Sequence, residues 1–220
     1  MWERPWTDQD AFIIGGGSSL KDFDFQLLRG RNTIGCNDAY RLGEDICHIC
    51  MFGDATWFHK IRADLMQNFK GPICHVAPSL SKLKMPGVVS LRRMSVGLWD
   101  GEQIGWNFST GASAINLAIN LGATRIFLLG VDLALQKGQS HWHPHRAHPT
   151  KPEIFARFRK GFEHIGNALK LPKYSGVQVF HVTDQASALP WFMTMPFREF
   201  FVVLEKTPAQ IKPVWLSSTQ

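Results

Sequence analysis

AFIIGGGSSL, running from Ala11 to Leu20, decides the fold: a short apolar run stops abruptly at Gly15, Gly16 and Gly17, and Ser18 and Ser19 follow. An apolar run closed by glycines predicts a strand that ends in a tight turn. Working outward, NTIGC (32–36), ICHICMF (46–52) and ICHVA (73–77) read as further strands, each ending at a polar cluster, and residues 24–28 predict a short helix ending near Gly30. Between Asp54 and Phe69 the residues Trp57, Phe58, Ile61, Leu65, Met66 and Phe69 recur three or four apart. That is the spacing of an amphipathic helix, with Asp54 placed to cap it. Residues 109–121 predict a second helix, capped by Ser109 or Thr110 and ended by Gly122. RIFLLGVDL (125–133) is the most apolar strand, residues 152–171 a third helix, and GVQVFHV (176–182) a last strand. Strands alternating with helices, most of them apolar along their length, imply an α/β fold: a Rossmann-like, mostly parallel sheet with helices on both faces.

Composition agrees with a chain that buries a substantial core. The 220 residues are 45% hydrophobic, with 16 Phe and 8 Trp against 2 Tyr, and 19% are charged. No uninterrupted apolar stretch is long enough for a membrane span, and MWERPWTDQD lacks the basic start and apolar run of a signal peptide, so the chain reads as soluble and cytoplasmic. Residues 1–207 read as one nucleotide-binding domain, with an insertion or lid at about 78–107 and a tail over 208–220. Cys36, Cys47, Cys50 and Cys74 lie in the first third, mostly inside apolar runs, which suits reduced core thiols; zinc at the Cys47-Cys50 pair lacks two further ligands except Cys74 and His75. A net charge of +6 favours anionic partners, but the basic clusters Arg92-Arg93 and Arg157 to Lys160 are too short to indicate a nucleic-acid-binding module.

In an open parallel sheet, ligands bind beyond the carboxyl ends of the strands. Those ends carry Gly15, Gly16, Gly17, Ser18 and Ser19 after the first strand, Asn37 and Asp38 after the second, Gly53 and Asp54 after the third, and Asp132 after the strand at 125. Thr110 at its helix start faces the same crevice. The glycine turn lets backbone amides approach an anion, since glycine has no side chain and tolerates positive φ, although a plain tight turn is the competing reading. It matches neither the dinucleotide fingerprint nor a Walker A loop. Asn37 and Asp38 could read a base or ribose, or form an ordinary turn. Asp54 and Asp132 could hold a divalent cation on phosphates, but helix capping is favoured for Asp54 and turn closure competes for Asp132. SHWHPHRAHP places His141, His143 and His145 at alternate positions, on one side of an extended segment, suited to a general base or substrate contact, with a metal site less favoured because no acidic or Cys ligand is adjacent. His48, His75 and His181 sit inside strand patterns and read as satisfied core residues.

The order IIGGGSSLKDFDF, GCNDAY, TGASAINLAINLGATRIFLLGVDL and SHWHPH resembles the nucleotide-binding half of the bacterial sialyltransferases of glycosyltransferase family 42. It is equally similar to the MptE-like family of 6-hydroxymethyl-dihydropterin diphosphokinases, where FGDATWF and TGASAINLAINLGA look most like phage and bacterial members. The first resemblance implies that Gly15, Gly16, Gly17, Asn37 and Thr110 hold a CMP moiety and that His145 is the general base, with His141 the histidine preceding it. The chain departs from that pattern where Gly16 replaces an Asn of the glycine loop, where Gly53 or Asp54 replaces an Asn after strand three, and where Leu133, Ala134 and Leu135 replace tyrosines that hold the departing phosphate.

The implied activity is a nucleotide- or nucleotide-sugar-dependent transfer, CMP-linked, to a small-molecule or glycan acceptor hydroxyl. His145 or His143 would take the proton, and Arg146 or Lys137 would supply charge. The alternatives are ATP-dependent, Mg²⁺-requiring diphosphoryl transfer to a pterin-like alcohol through Asp38, Asp54 or Asp132, and a non-catalytic phage or prophage nucleotide-binding protein. The apolar segment PWFMTMPFREFFVVLE predicts packing against a partner subunit in a homo-oligomer.

Overall fold

The computed structural model describes residues 3–135, 141–144 and 151–209. Its elements follow in the order β1 (Asp10–Ile14), β2 (Thr33–Cys36), β3 (Ile49–Phe52), α1 (Ala55–Asn68), β4 (Ile73–His75), β5 (Val88–Ser90), β6 (Arg92–Met94), β7 (Gln103–Gly105), α2 (Thr110–Asn120), β8 (Arg125–Leu129), α3 (Glu153–Ala168), β9 (Gln178–Val182), β10 (Met193–Met195) and α4 (Phe197–Lys206). Eight strands form one sheet in the order β10-β9-β8-β1-β2-β3-β4-β5, and every neighbouring pair is parallel. β6 and β7 pair separately, also in parallel.

Alternation along the central strands explains why they are apolar throughout. In β1, Ala11 and Ile13 join a core with Ala112, Ile115 and Ala118 of α2 and Phe162 and Ile165 of α3. Phe12 and Ile14 face the other way, toward Phe200 and Leu204 of α4. β8 repeats the pattern, with Ile126 and Leu128 on the α2 side and Phe127 and Leu129 on the α4 side. Farther along the sheet, Phe52 of β3 stacks on Phe58 of α1 with ring centroids 4.9 Å apart. A sheet covered on both faces must be apolar on both, and this buried area is the main stabilising term.

Several expected elements take a different form. Residues 24–28 give only a 3₁₀ turn, Phe25–Leu28, with the Asp24 carboxylate accepting from the Gln26 amide. A 3₁₀ helix over Asn37–Leu42, which the sequence reading lacks, turns the chain directly after β2. Within 78–107, by contrast, the VVSL stretch (88–91), a strand candidate in the sequence, does form a strand: Val88–Ser90 extends the main sheet as its edge strand, and Leu91 and Ile104 are buried in the core. The C-terminal apolar segment supplies β10 and α4, whose Phe200 and Leu204 pack on this chain's own sheet, while Phe201 and Val202 remain 38% and 44% exposed. His48, His75 and His181 are buried as expected, but not fully satisfied, although His181 Nδ1 pairs with the Ser187 hydroxyl at 2.7 Å. His48 Nδ1, both His75 nitrogens and His181 Nε2 lack hydrogen-bond partners among the described residues.

A buried polar ladder on α2 organises the segment before it. Ser113 Oγ donates to the carbonyls of Gly105 (3.0 Å) and Trp106 (2.8 Å). Asn116 Oδ1 accepts from the amides of Trp99 (3.0 Å) and Gly105 (2.9 Å), its Nδ2 donates to the Trp99 carbonyl (2.7 Å), and Asn120 Nδ2 donates to the Gly101 carbonyl (2.7 Å). Together they occupy backbone groups of Trp99, Gly101, Gly105 and Trp106 and so fix where this segment lies against α2.

Candidate functional site

β1 lies between β2 and β8, so the chain leaves β1 toward one side of the sheet while β8 occupies the other. This is the topological switch point, where the loops beyond neighbouring strand ends diverge and open a crevice. A crevice of about 570 Å³ lies there, lined by Gly15, Gly16, Gly17, Asn37, Asp38, Asp54, Thr110, Asp132, His141 and His143. Ser18 and Ser19 do not line it. His145 lies outside the described residues, as do Lys137 and Arg146.

Each glycine of the loop answers to a different neighbour. A Cβ on Gly15 would stand 2.4 Å from the Gly130 carbonyl oxygen, one on Gly16 would meet the His141 ring at 2.7 Å, and one on Gly17 would fall 2.5 Å from the Asp132 carboxyl carbon. None of the three has positive φ, so close packing and not a left-handed turn demands them. Their amides are also largely committed. Gly15 donates to the Leu129 carbonyl (2.8 Å) and Gly17 to the Gly130 carbonyl (2.7 Å). Asp132 accepts from the Ser19 amide (2.9 Å) and hydroxyl (2.5 Å). The open anion cradle expected of Gly15 to Ser19 is therefore replaced by a clasp between the β1 and β8 loops. Among Gly15, Gly16, Gly17 and Ser19, only the Gly16 amide is taken by no described group.

The histidine segment is bound to the same loop. Trp142 donates its backbone amide to the Gly16 carbonyl and its indole N–H to the Gly15 carbonyl, both at 3.0 Å, and its ring packs on Phe25. Trp142 thus points away from the crevice while His141 and His143 line it, their ring centroids 5.3 Å apart, as alternate spacing predicts.

The carboxylates are dispersed. Asp38 accepts from the Trp57 indole N–H at 3.1 Å and lies 3.7 Å from Arg41. Asp54 caps α1, accepting from the Thr56 amide at 2.8 Å. No group of three or more His, Cys, Asp or Glu side chains placed to hold a metal occurs among the described residues. Replacing Asp54 with alanine removes an N-cap and is expected to lower the unfolding free energy by about 1 kcal/mol, read from chemical denaturation; an unchanged midpoint overturns the capping role.

Asn37 is the group left with an open valence. It adopts positive φ (53°), and its Oδ1 is buried without a hydrogen-bond partner among the described residues. An orphan acceptor of this kind is unfavourable by about 1–3 kcal/mol unless a ligand completes it. Opposite stands the N-terminus of α2, where Ser109 makes no side-chain cap and the first amides point out of the helix. Phe108 and Asn107 before it hold positive φ of 61° and 47°.

Two contributors were not singled out by the sequence reading. Arg157 and Lys60 bring positive charge to the crevice from α3 and α1, and Trp57, Trp106, Phe108, Phe155 and Phe158 give it an aromatic wall. Arg157 lies 5.1 Å over the Phe108 ring. Trp106 lies so close over Gly53 that a Cβ there would stand 2.0 Å from the indole. The basic run Arg157 to Lys160, at the head of the helix after the histidine segment, was the available signal for Arg157. Cys36 also lines the crevice, but burial pushes its thiol up to about 12, which leaves it protonated and unsuited to nucleophilic work.

No family model matches the chain, and no curated protein matches it. Solved structures do. The chain is similar to the sialyltransferase CstII from Campylobacter jejuni, determined in complex with a substrate analogue, cytidine-5'-monophosphate, with a TM-score of 0.51 and 17% identity over 85% of each chain. The likeness is one of fold. A second similar structure is the monofunctional alpha-2,3-sialyltransferase Cst-I from the same organism, at 16% identity and a TM-score of 0.49 over 97% of this chain and 90% of that one. The α/β, mostly parallel, sialyltransferase-like fold is thus established, and no helix among the described residues is long and apolar enough to cross a membrane.

Proposed function

We propose that the protein is a glycosyltransferase-like enzyme that uses a nucleotide-sugar donor, CMP-linked in the leading reading, and transfers the sugar to an acceptor hydroxyl. The observation that carries this reading is the buried, unpartnered Oδ1 of Asn37 at the switch-point crevice, which requires a donor group such as a nucleobase amine or a ribose hydroxyl. The donor phosphate sits at the N-terminus of α2, near Thr110, where the helix dipole and free amides favour an anion, with Arg157 adding charge. The neighbour bound to cytidine-5'-monophosphate supports the choice of nucleotide.

In the chemical step an imidazole of the His141 to His145 segment takes the proton of the acceptor hydroxyl. The acceptor oxygen bonds to the anomeric carbon, the bond from that carbon to the phosphate oxygen breaks, and the nucleotide departs with the electron pair. A group with a pKa near neutrality suits that proton transfer, and the cationic and helix-terminal charges stabilise the leaving phosphate.

Calorimetric titration with CMP, CDP, UDP, ATP and GTP, with and without EDTA, tests the reading. The expected result is metal-independent binding of a cytidine nucleotide, weakened about tenfold or more by Arg157→Ala, whose contact to the phosphate is charged and worth about 1.5–3 kcal/mol, and about two- to tenfold by Asn37→Ala, whose hydrogen bond is neutral and worth about 0.5–1.5 kcal/mol. Absence of binding by any nucleotide overturns it. Binding of ATP alone, lost in EDTA, would transfer support to the diphosphokinase alternative.

A further inference from the structure

Beside the crevice lies a second concavity, a groove of about 780 Å³ along the edge strand β5. Its charge is one-sided: Lys82, Lys84, Arg92 and Arg93 line it against the single carboxylate of Glu102. None of the four cations makes an ion pair among the described residues. Clustered cations that carry no structural ion pair repel one another and set up a positive potential, and a concave surface focuses it.

The groove adjoins the switch-point crevice. Ala77 and Pro78 line both. Arg93 marks the seam, because it lines the groove while its guanidinium lies 4.5 Å over the ring of Trp106, a wall of the crevice. The crevice's own Arg157 is close enough that its charge, added to burial, depresses the Arg93 pKa, so the two cations act in one field. A molecule lying along the groove would bring one end to the place where the donor is bound.

We infer that this groove is the acceptor subsite and that it selects an acidic glycan, an oligosaccharide bearing carboxylate or phosphate groups along its length. The inference rests on the transferase reading above for the word acceptor, but the binding it describes does not. A flexible single-stranded nucleic acid is the other polyanion of suitable width. Such ligands are held through bases stacked on aromatic side chains, and among the described residues no aromatic one lines the groove. Carboxylates spaced along a sugar chain need only the row of cations.

The probes are a hexameric oligogalacturonate, neutral maltohexaose, and an oligothymidylate of equal charge, titrated into the full chain at low and at moderate salt; CMP is titrated separately. Oligogalacturonate is expected to bind at least tenfold more tightly than maltohexaose and to weaken as salt rises, because exposed charges are screened. The double substitution Lys82→Glu with Arg92→Glu is expected to weaken it a further tenfold or more while CMP affinity stays within about twofold; if that protein does not fold, Lys84→Glu alone is read the same way. Equal binding of the charged and neutral sugars, no effect of the substitutions, or preference for oligothymidylate overturns the inference. Groove-dependent binding of oligogalacturonate without any binding of CMP keeps the groove and removes the nucleotide reading, and the reverse result removes the groove alone.

Discussion

Gly161→Ala is expected to lower the unfolding free energy by about 3 kcal/mol or more. A Cβ at this position would stand 1.7 Å from the backbone carbonyl oxygen of Asn107 and 2.7 Å from its carbon. Elsewhere in a helix the same substitution is favourable by roughly 0.5–1 kcal/mol, because alanine loses less backbone freedom on folding. Here the obstruction wins, for the neighbour is backbone that cannot withdraw. Asn107 is fully buried and holds positive φ. Its side chain accepts from the Gly97 amide at 2.7 Å and donates to the carbonyls of Gly97 at 2.8 Å and Gly105 at 3.2 Å. Relief would require α3 to move away from α2, which also displaces Arg157 from the crevice. For a chain of this size each kcal/mol shifts the melting temperature by about 2–4 °C, so a fall of roughly 6–12 °C is expected. Gly176→Ala is the control, since no atom lies within 4 Å of a Cβ there and it is expected to change stability by no more than about 0.5 kcal/mol. Equal melting temperatures for the two variants would falsify the close approach of α3 to Asn107.

The second large effect concerns acid. His75 at the end of β4 is fully buried, stacks on Phe52 at 5.2 Å, and has no hydrogen-bond partner for either ring nitrogen among the described residues. Burial holds its pKa down at about 4, against an ordinary value of 6.5. Between those two values the unfolded chain binds a proton at this histidine and the folded chain does not, so stability falls as pH drops through 6.5 and the loss is complete near 4. A depression of that size corresponds to roughly 3 kcal/mol in full, with about 2 kcal/mol already lost at pH 5. His48 and His181 are depressed by burial in the same direction and add to the slope. Urea unfolding of the wild type and His75→Leu from pH 7 to pH 5 measures the difference. The variant's curve is expected to be flatter by about 2 kcal/mol over that range, and parallel curves would sink the assignment of a neutral, buried imidazole.

The frame was legible because it depends on local pattern. The abrupt end of β1 at three glycines, the apolar run of β8, the Asp54-capped helix α1 and the run of helix formers in α2 each carry their signal within a dozen residues. The use made of the glycines was not legible. Whether the Gly15 and Gly17 amides face a ligand or the carbonyls of Leu129 and Gly130 depends on β8 lying beside β1, a pairing between distant parts of the chain. The same limit hid the contact of Gly53 with Trp106 and the role of Ser113, Asn116 and Asn120, whose polar side chains in an apolar helix hint at buried partners without naming them. α4 is a different case. Phe197, Phe200, Phe201 and Leu204 have helical spacing, but the surrounding run is apolar enough to mask the period, and β10 is too short to show alternation. At the site, Asn37, Thr110, His141 and His143 were readable as residues at strand and helix ends. Arg157 and Lys60 were not, because they reach the crevice from helix faces and not from strand-end loops.

The ring of His141 occupies the space that any side chain at position 16 would need, and the indole of Trp106 does the same at position 53. Each glycine and its ring are therefore sterically coupled: a larger residue at 16 needs the ring at 141 to be gone, and the indole at 106 needs glycine at 53. Replacement at the glycine is therefore blocked while the ring stands, whereas a smaller residue at the ring position leaves the glycine free to change afterwards, so the order of the two steps is fixed.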